Sequence, residues 1–104
     1  MATINPEVIN IHHDTKERKL FFVQKGADIQ DARLEYKLHI DAQPNVVEFT
    51  HTYVPETIQG IGFAQELAHE GMRFARANGY QVKSSCDFVT TFLNDNPQYN
   101  QLKI

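Results

Sequence analysis

The sequence is short of several things, beginning with tryptophan, which is absent, and cysteine, which occurs once in 104 residues, as Cys86. One thiol excludes an internal disulfide and a cysteine-rich zinc cluster, and it fits a reducing, cytoplasmic setting. Basic residues are not in excess: Lys and Arg number 10 against 13 Asp and Glu, a formal charge of −3. Without that excess a direct nucleic-acid binder is not expected. Long apolar runs are missing too. The longest is Leu20 to Val23, far short of the roughly 20 residues of a membrane helix. Asn5, Glu7, Asn10 and Asp14 leave the N-terminal region without the apolar centre of a secretory signal. There are no repeats, linkers or low-complexity tracts, so residues 1–104 read as one domain with one core.

What is present divides into two periods. The first half alternates as strands do. Val8 to His12 is a short apolar stretch closed by the turn-prone His13-Asp14-Thr15-Lys16. Leu20 to Gln24 is apolar on both faces, and Gly26 to Gln30 reads as a loop. In Ala32 to Ile40 the residues Ala32, Leu34, Tyr36, Leu38 and Ile40 form one face, and Arg33, Glu35, Lys37 and His39 a wet one. After a hairpin loop around Pro44, Val46 to Val54 is a fourth strand. From Gly62 to Asn78 the period becomes helical, with Ala64, Leu67, Ala68, Gly71, Phe74 and Ala75 on one stripe and Asn78-Gly79 as its stop. Tyr80 to Ser84 is a fifth strand, and Phe88, Val89, Phe92 and Leu93 mark a short second helix ending at Asn94 to Pro97. The order β-β-β-β-α-β-α is an α/β (α+β) mixture in which the strands flanking the long helix run parallel.

Three features can carry chemistry. Gln59-Gly60-Ile61-Gly62-Phe63-Ala64 lies between a strand and a helix start, where glycines and unpaired amides make an anion site. The segment has neither the ending of a Walker A loop nor the third glycine of a dinucleotide fingerprint, and a purely steric turn reads equally well. Cys86 opens the second helix, a position that suits a nucleophile but also a small buried hydrophobe. His51 shares strand parity with Val47, Phe49 and Tyr53, so it is expected to point toward apolar neighbours, as a core histidine or as a base. His12, His13, His39 and His69 lack the spacing of a zinc set, and no metal is expected.

Taken together, His51-Thr52-Tyr53-Val54-Pro55, the glycine segment, Ser85-Cys86-Asp87-Phe88-Val89 and Asn96-Pro97 resemble the minimal, single-domain members of the GNAT N-acetyltransferase superfamily, the YjdJ-like group. The likeness runs from about Val8 to Tyr99. It implies a mixed, mostly antiparallel sheet of about five strands whose fourth and fifth strands splay at a bulge. It also implies acetyl-CoA as cosubstrate. Amides of Gly60, Ile61, Gly62, Phe63 and Ala64 would cradle the pyrophosphate, beside Gln59. Backbone groups near Thr52, Tyr53 and Val54 would bond the pantetheine arm and polarise the thioester carbonyl. Cys86 would be the catalytic residue, as acetyl acceptor or base, with His51 taking a proton from it or from the incoming amine, and Asn96 would lie near the cofactor.

The chain departs from the larger superfamily members in two ways. Only the His13-to-Lys16 turn stands where those members insert two helices that wall off the acceptor, so the acceptor side is expected to be open. Gln59 also stands where many members have arginine. An open side fits a protein lysine or polyamine as acceptor. The resulting expectation is an acetyl-CoA-dependent N-acetyltransferase, with an acyl-CoA-binding module as the alternative.

Overall fold

The computed structural model describes residues 9–16, 18–24, 27–40, 44–54 and 62–104. The elements run β1 (Ile9–Asp14), β2 (Lys19–Gln24), β3 (Ala27–His39), β4 (Val46–Tyr53), α1 (Phe63–Ala77), β5 (Gln81–Ser84), α2 (Asp87–Asp95) and a 3-10 helix over Pro97–Leu102. The sheet keeps chain order, β1-β2-β3-β4-β5. Neighbours are antiparallel except β4 and β5, which are parallel because a helix intervenes. The expected order and the parallel pair are both observed, and the protein has the mixed α/β architecture.

Two expected boundaries move. Gly26 to Gln30 was expected to be a loop, yet β3 already begins at Ala27, and the irregularity appears as a register shift opposite Phe21 and Phe22. Turn-prone residues there disturb the ladder without ending the strand. His13 and Asp14 extend β1 rather than open a turn. The 3-10 helix had no expectation at all, since a helix that short carries almost no periodicity.

One face of the sheet is packed and the other is wet. Leu34, Tyr36, Val47, Phe49 and Val82 are buried against Phe63, Leu67, Ala68, Met72 and Ala75 of α1 and Val89, Phe92 and Leu93 of α2. The helical stripe thus includes Phe63 and Met72, while Ala64 and Phe74 sit at its margins, half-buried. Gly71 lets helix and sheet close up: a Cβ there would lie 3.0 Å from Leu34 Cδ2 and from the Phe49 ring. Arg33 and Glu35 on the opposite face are half-exposed, Lys37 and His39 fully so. That is the wet row read from the alternation.

Glycine and asparagine set the limits of α1. Gly62 is its N-cap at φ 102°, a left-handed conformation that glycine adopts without strain. Asn78 and Gly79 (φ 71°) end it, with Tyr80 N donating back to Ala75 O. The segment after the 3-10 helix lies along the outer edge of β5, with Ile104 N donating to Val82 O. No described helix is long and apolar enough to cross a membrane.

Candidate active site

The site is made where β4 and β5 stop pairing. Their parallel ladder runs from Val46 opposite Gln81 to Phe49 opposite Ser84, and Ser85 N closes it by donating to Phe49 O at 3.0 Å. On its other side β4 pairs Phe49 with Tyr36 but His51 with Glu35. Thr50 is therefore an extra residue, a β-bulge. Its hydroxyl donates to Glu35 O (3.4 Å), which gives the displaced side chain a partner. Past the bulge, His51 to Tyr53 remain paired with β3 only. Among the described residues no strand pairs with the β4 edge that faced β5, and the two parallel strands part there as a fork.

The bulge also inverts which side chains face the core. Thr52 pairs with Leu34, which is fully buried, so Thr52 points to the helical face. His51 pairs with Glu35 and is exposed on the wet face. The expectation that His51 shares a face with Val47 and Phe49 is corrected: unbroken alternation predicts it, and one inserted residue reverses it. Tyr53 turns outward for the same reason, 43% exposed, with the Arg33 guanidinium 5.3 Å from its ring centre.

Cys86 stands across the fork. It is the N-cap of α2, in extended conformation, and its carbonyl accepts the first helical bond, from Thr90 N at 3.0 Å. The thiol is half-buried and lies 3.4 Å from the Thr52 hydroxyl. Ser84 braces the turn: its hydroxyl donates to Cys86 O at 2.9 Å and accepts from Cys86 N at 3.3 Å, with Thr90 Oγ1 2.9 Å away. The structure thus joins Cys86 to Thr52 and leaves His51 on the other face of the sheet.

The remaining site residues fall out unevenly. Gln59, Gly60 and Ile61 lie outside the described residues. Gly62 is described as the left-handed N-cap, and Ala64 precedes the first intrahelical bond, from Glu66 N to Gly62 O (3.1 Å). The Phe63 side chain is buried in the core. Val54 packs against the core and is half-buried. Asn96 caps α2, with Nδ2 donating to Phe92 O at 2.7 Å and Oδ1 accepting from Gln98 at 3.3 Å. Its amide is occupied in ending a helix.

Charge at the fork lies on the wet face. Glu48 accepts hydrogen bonds from Ser85 Oγ and from His39 Nε2, the latter at 2.8 Å. Together with Lys83 these partners hold its carboxyl below the ordinary carboxylate value, Ser85 contributing most. The sequence motifs include Ser85 without a role for it and do not include Glu48. The one available signal was the pair Ser84-Ser85 directly before the cysteine, a run of hydroxyls where a strand turns into a helix.

Comparison with known proteins agrees with this geometry. Residues 20–102 match the model of a family described as GCN5-related N-acetyltransferase. The chain is 26% identical over 95 residues to Protein NATD1 of Danio rerio, covering 91% of this chain and 83% of that one. Its fold is similar to the NMR solution structure of a GCN5-like protein from Staphylococcus aureus, with a TM-score of 0.69 over 91% of this chain and 87% of that one, at 21% identity. A sheet forked at a bulge, with a crossover helix between its parallel strands and a family match over most of the chain, places this protein in the GCN5-related N-acetyltransferase family of acyltransferases.

Proposed function

We propose that the protein transfers the acetyl group of acetyl-CoA to an amine, with Cys86 in contact with the reacting thioester. The observation that supports this reading best is the fork itself. Among the described strands only β3 pairs with β4 from His51 to Tyr53, so the other edge of that stretch would offer main-chain groups to an extended pantetheine arm, with the Cys86 thiol at its apex beside Thr52. The amides at the start of α1, from Gly60 to Ala64, would hold the pyrophosphate, as a helix N-terminus holds anions. Main-chain donors near Thr52 and Tyr53 would stabilise the oxyanion formed when the amine attacks.

The chemistry balances by two routes. In one, the Cys86 thiol loses its proton and attacks the thioester carbonyl, coenzyme A leaves as the thiol, and the amine then displaces Cys86 from the acetyl group. In the other, the amine attacks acetyl-CoA directly, Cys86 as thiolate accepts the proton it sheds, and that proton passes to the departing coenzyme A sulfur. In both a C–N bond forms, a C–S bond breaks, and the amine loses one proton. His51 stands exposed on the opposite face of the sheet from the thiol, and neither route uses it. The open face fits a protein lysine or polyamine.

Thiol release from acetyl-CoA with a panel of amines tests the reading. Cys86→Ala should lose about 100-fold or more in rate, with an unchanged melting temperature, and full activity would remove the cysteine from the mechanism. Intact mass after incubation with acetyl-CoA separates the routes, since only the first adds an acetyl group to Cys86. A second reading, an acyl-CoA-binding module, is favoured by one observation: the partner of the Cys86 thiol among the described residues is a hydroxyl, that of Thr52, and not a base. Tight acetyl-CoA binding by calorimetry without product from any amine would establish it.

A further inference from the structure

We propose that Glu48 and Ser85 are positioning residues that fix the Cys86 sulfur at the apex of the fork; the proposal rests on the role given to Cys86 above. Ser85 and Cys86 are consecutive, and they leave β5 on opposite sides of the sheet. On the wet face the Ser85 hydroxyl donates to the Glu48 carboxylate. On the helical face the Cys86 thiol meets the Thr52 hydroxyl. Glu48 and Thr52 both belong to β4, one before the bulge at Thr50 and one after it. The two short side chains therefore pin the head of α2 to both arms of β4, one on each face.

The wet-face tie is the firmer of the two. A hydroxyl on a carboxylate makes a charge-assisted bond, whereas a thiol is a weak donor and a weak acceptor. Glu48 is itself anchored, being only 16% exposed in its side chain and also bonded to His39. With Ser85 released, the apex would keep the main-chain bond from Ser85 N to Phe49 O and the braces of Ser84. These hold the main chain at Cys86 but not the χ1 rotation that places its sulfur, which then rests on the weak contact with Thr52. Sub-ångström placement of a reacting group is worth large factors in rate, so a residue that never touches substrate can govern turnover.

The test uses the fact that Cys86 is the only cysteine. Alkylation by iodoacetamide therefore reports on one sulfur, whether or not the protein is turning over. Ser85→Ala should alkylate several-fold faster than wild type, because the thiol leaves Thr52, and Ser85→Thr should restore the wild-type rate. In acetyl transfer Ser85→Ala should lower kcat about ten-fold with the KM for acetyl-CoA unchanged. If Ser85→Ala melts early, Glu48→Gln, which keeps the shape and loses the charge, is read in its place. An unchanged alkylation rate in folded variants overturns the proposal whatever happens to turnover. Faster alkylation in a protein whose wild type transfers no acetyl group supports the positioning pair and overturns the enzymatic reading instead.

Discussion

The two halves of β4 behave as different materials. From Val46 to Phe49 the strand is zipped on both edges, to β3 and to β5, and Val46, Val47 and Phe49 are buried. From His51 to Tyr53 it pairs with β3 alone among the described strands, and none of those side chains is fully buried. The first half carries packing energy and the second carries main chain laddered on one edge. A single bulge separates them.

Substitutions along that divide should separate stability from chemistry. The largest loss of stability is expected from Phe49→Ala, which empties a fully buried aromatic site and should cost about 3–5 kcal/mol by urea denaturation. Gly71→Ala presses on the same zipped half, since its Cβ would stand 3.0 Å from Leu34 and Phe49. Overpacking at such a contact costs about 1–3 kcal/mol, offset by up to about 1 kcal/mol of helix propensity, so a smaller net loss is expected. Thr52→Val, in the open half, should change stability by about 1 kcal/mol or less. Its effect should appear in the alkylation rate of Cys86, which loses its hydroxyl partner. A Thr52→Val protein as unstable as Phe49→Ala would erase the distinction between the halves.

Acid sharpens the comparison most gently. His13 packs under α1, with Nε2 2.5 Å from Tyr36 Oη and its ring 4.5 Å from that of Phe74. Burial holds its imidazole below the ordinary 6.5, against the opposing pull of Glu70 and Asp14. The folded state therefore binds fewer protons there than the unfolded state, and stability is lost as pH falls below 6.5 toward the folded value. Glu48 adds a later loss, below its ordinary 4.5, because the bonds from Ser85 and His39 favour the carboxylate. Thermal melts from pH 8 to about pH 3 should fall first in the His13 window. A His13→Gln variant should flatten that window and leave the Glu48 window in place.

Much of the architecture was legible in the residues because packing faces impose periods. Leu34, Tyr36 and Leu38 against Arg33, Glu35 and Lys37 fixed the faces of β3, and Leu67, Ala68, Gly71 and Ala75 fixed the face of α1. Asn78-Gly79 marked the helix end because a left-handed residue is needed there. The site was legible as a set of positions and not as an arrangement. His51 was assigned to the wrong face because a bulge has no periodic signature. Asn96 was placed near the cofactor by resemblance, and its use of the amide to end a helix could not be read from the sequence. Glu48 and Ser85 are 37 positions apart, and no local pattern links a strand residue to a turn that far away.

By itself, then, the sequence decided element type, order and the wet and dry sides, since these depend on neighbours within one helical turn or one strand. It also decided that a single thiol would open the second helix. Tertiary structure decided where parallel pairing stops, which residue of β4 bulges, and hence that Thr52 rather than His51 meets Cys86. Those choices depend on how well Phe49, Leu34 and Gly71 pack together across long stretches of chain. Side-chain packing between distant segments is a cooperative property that no window of residues contains.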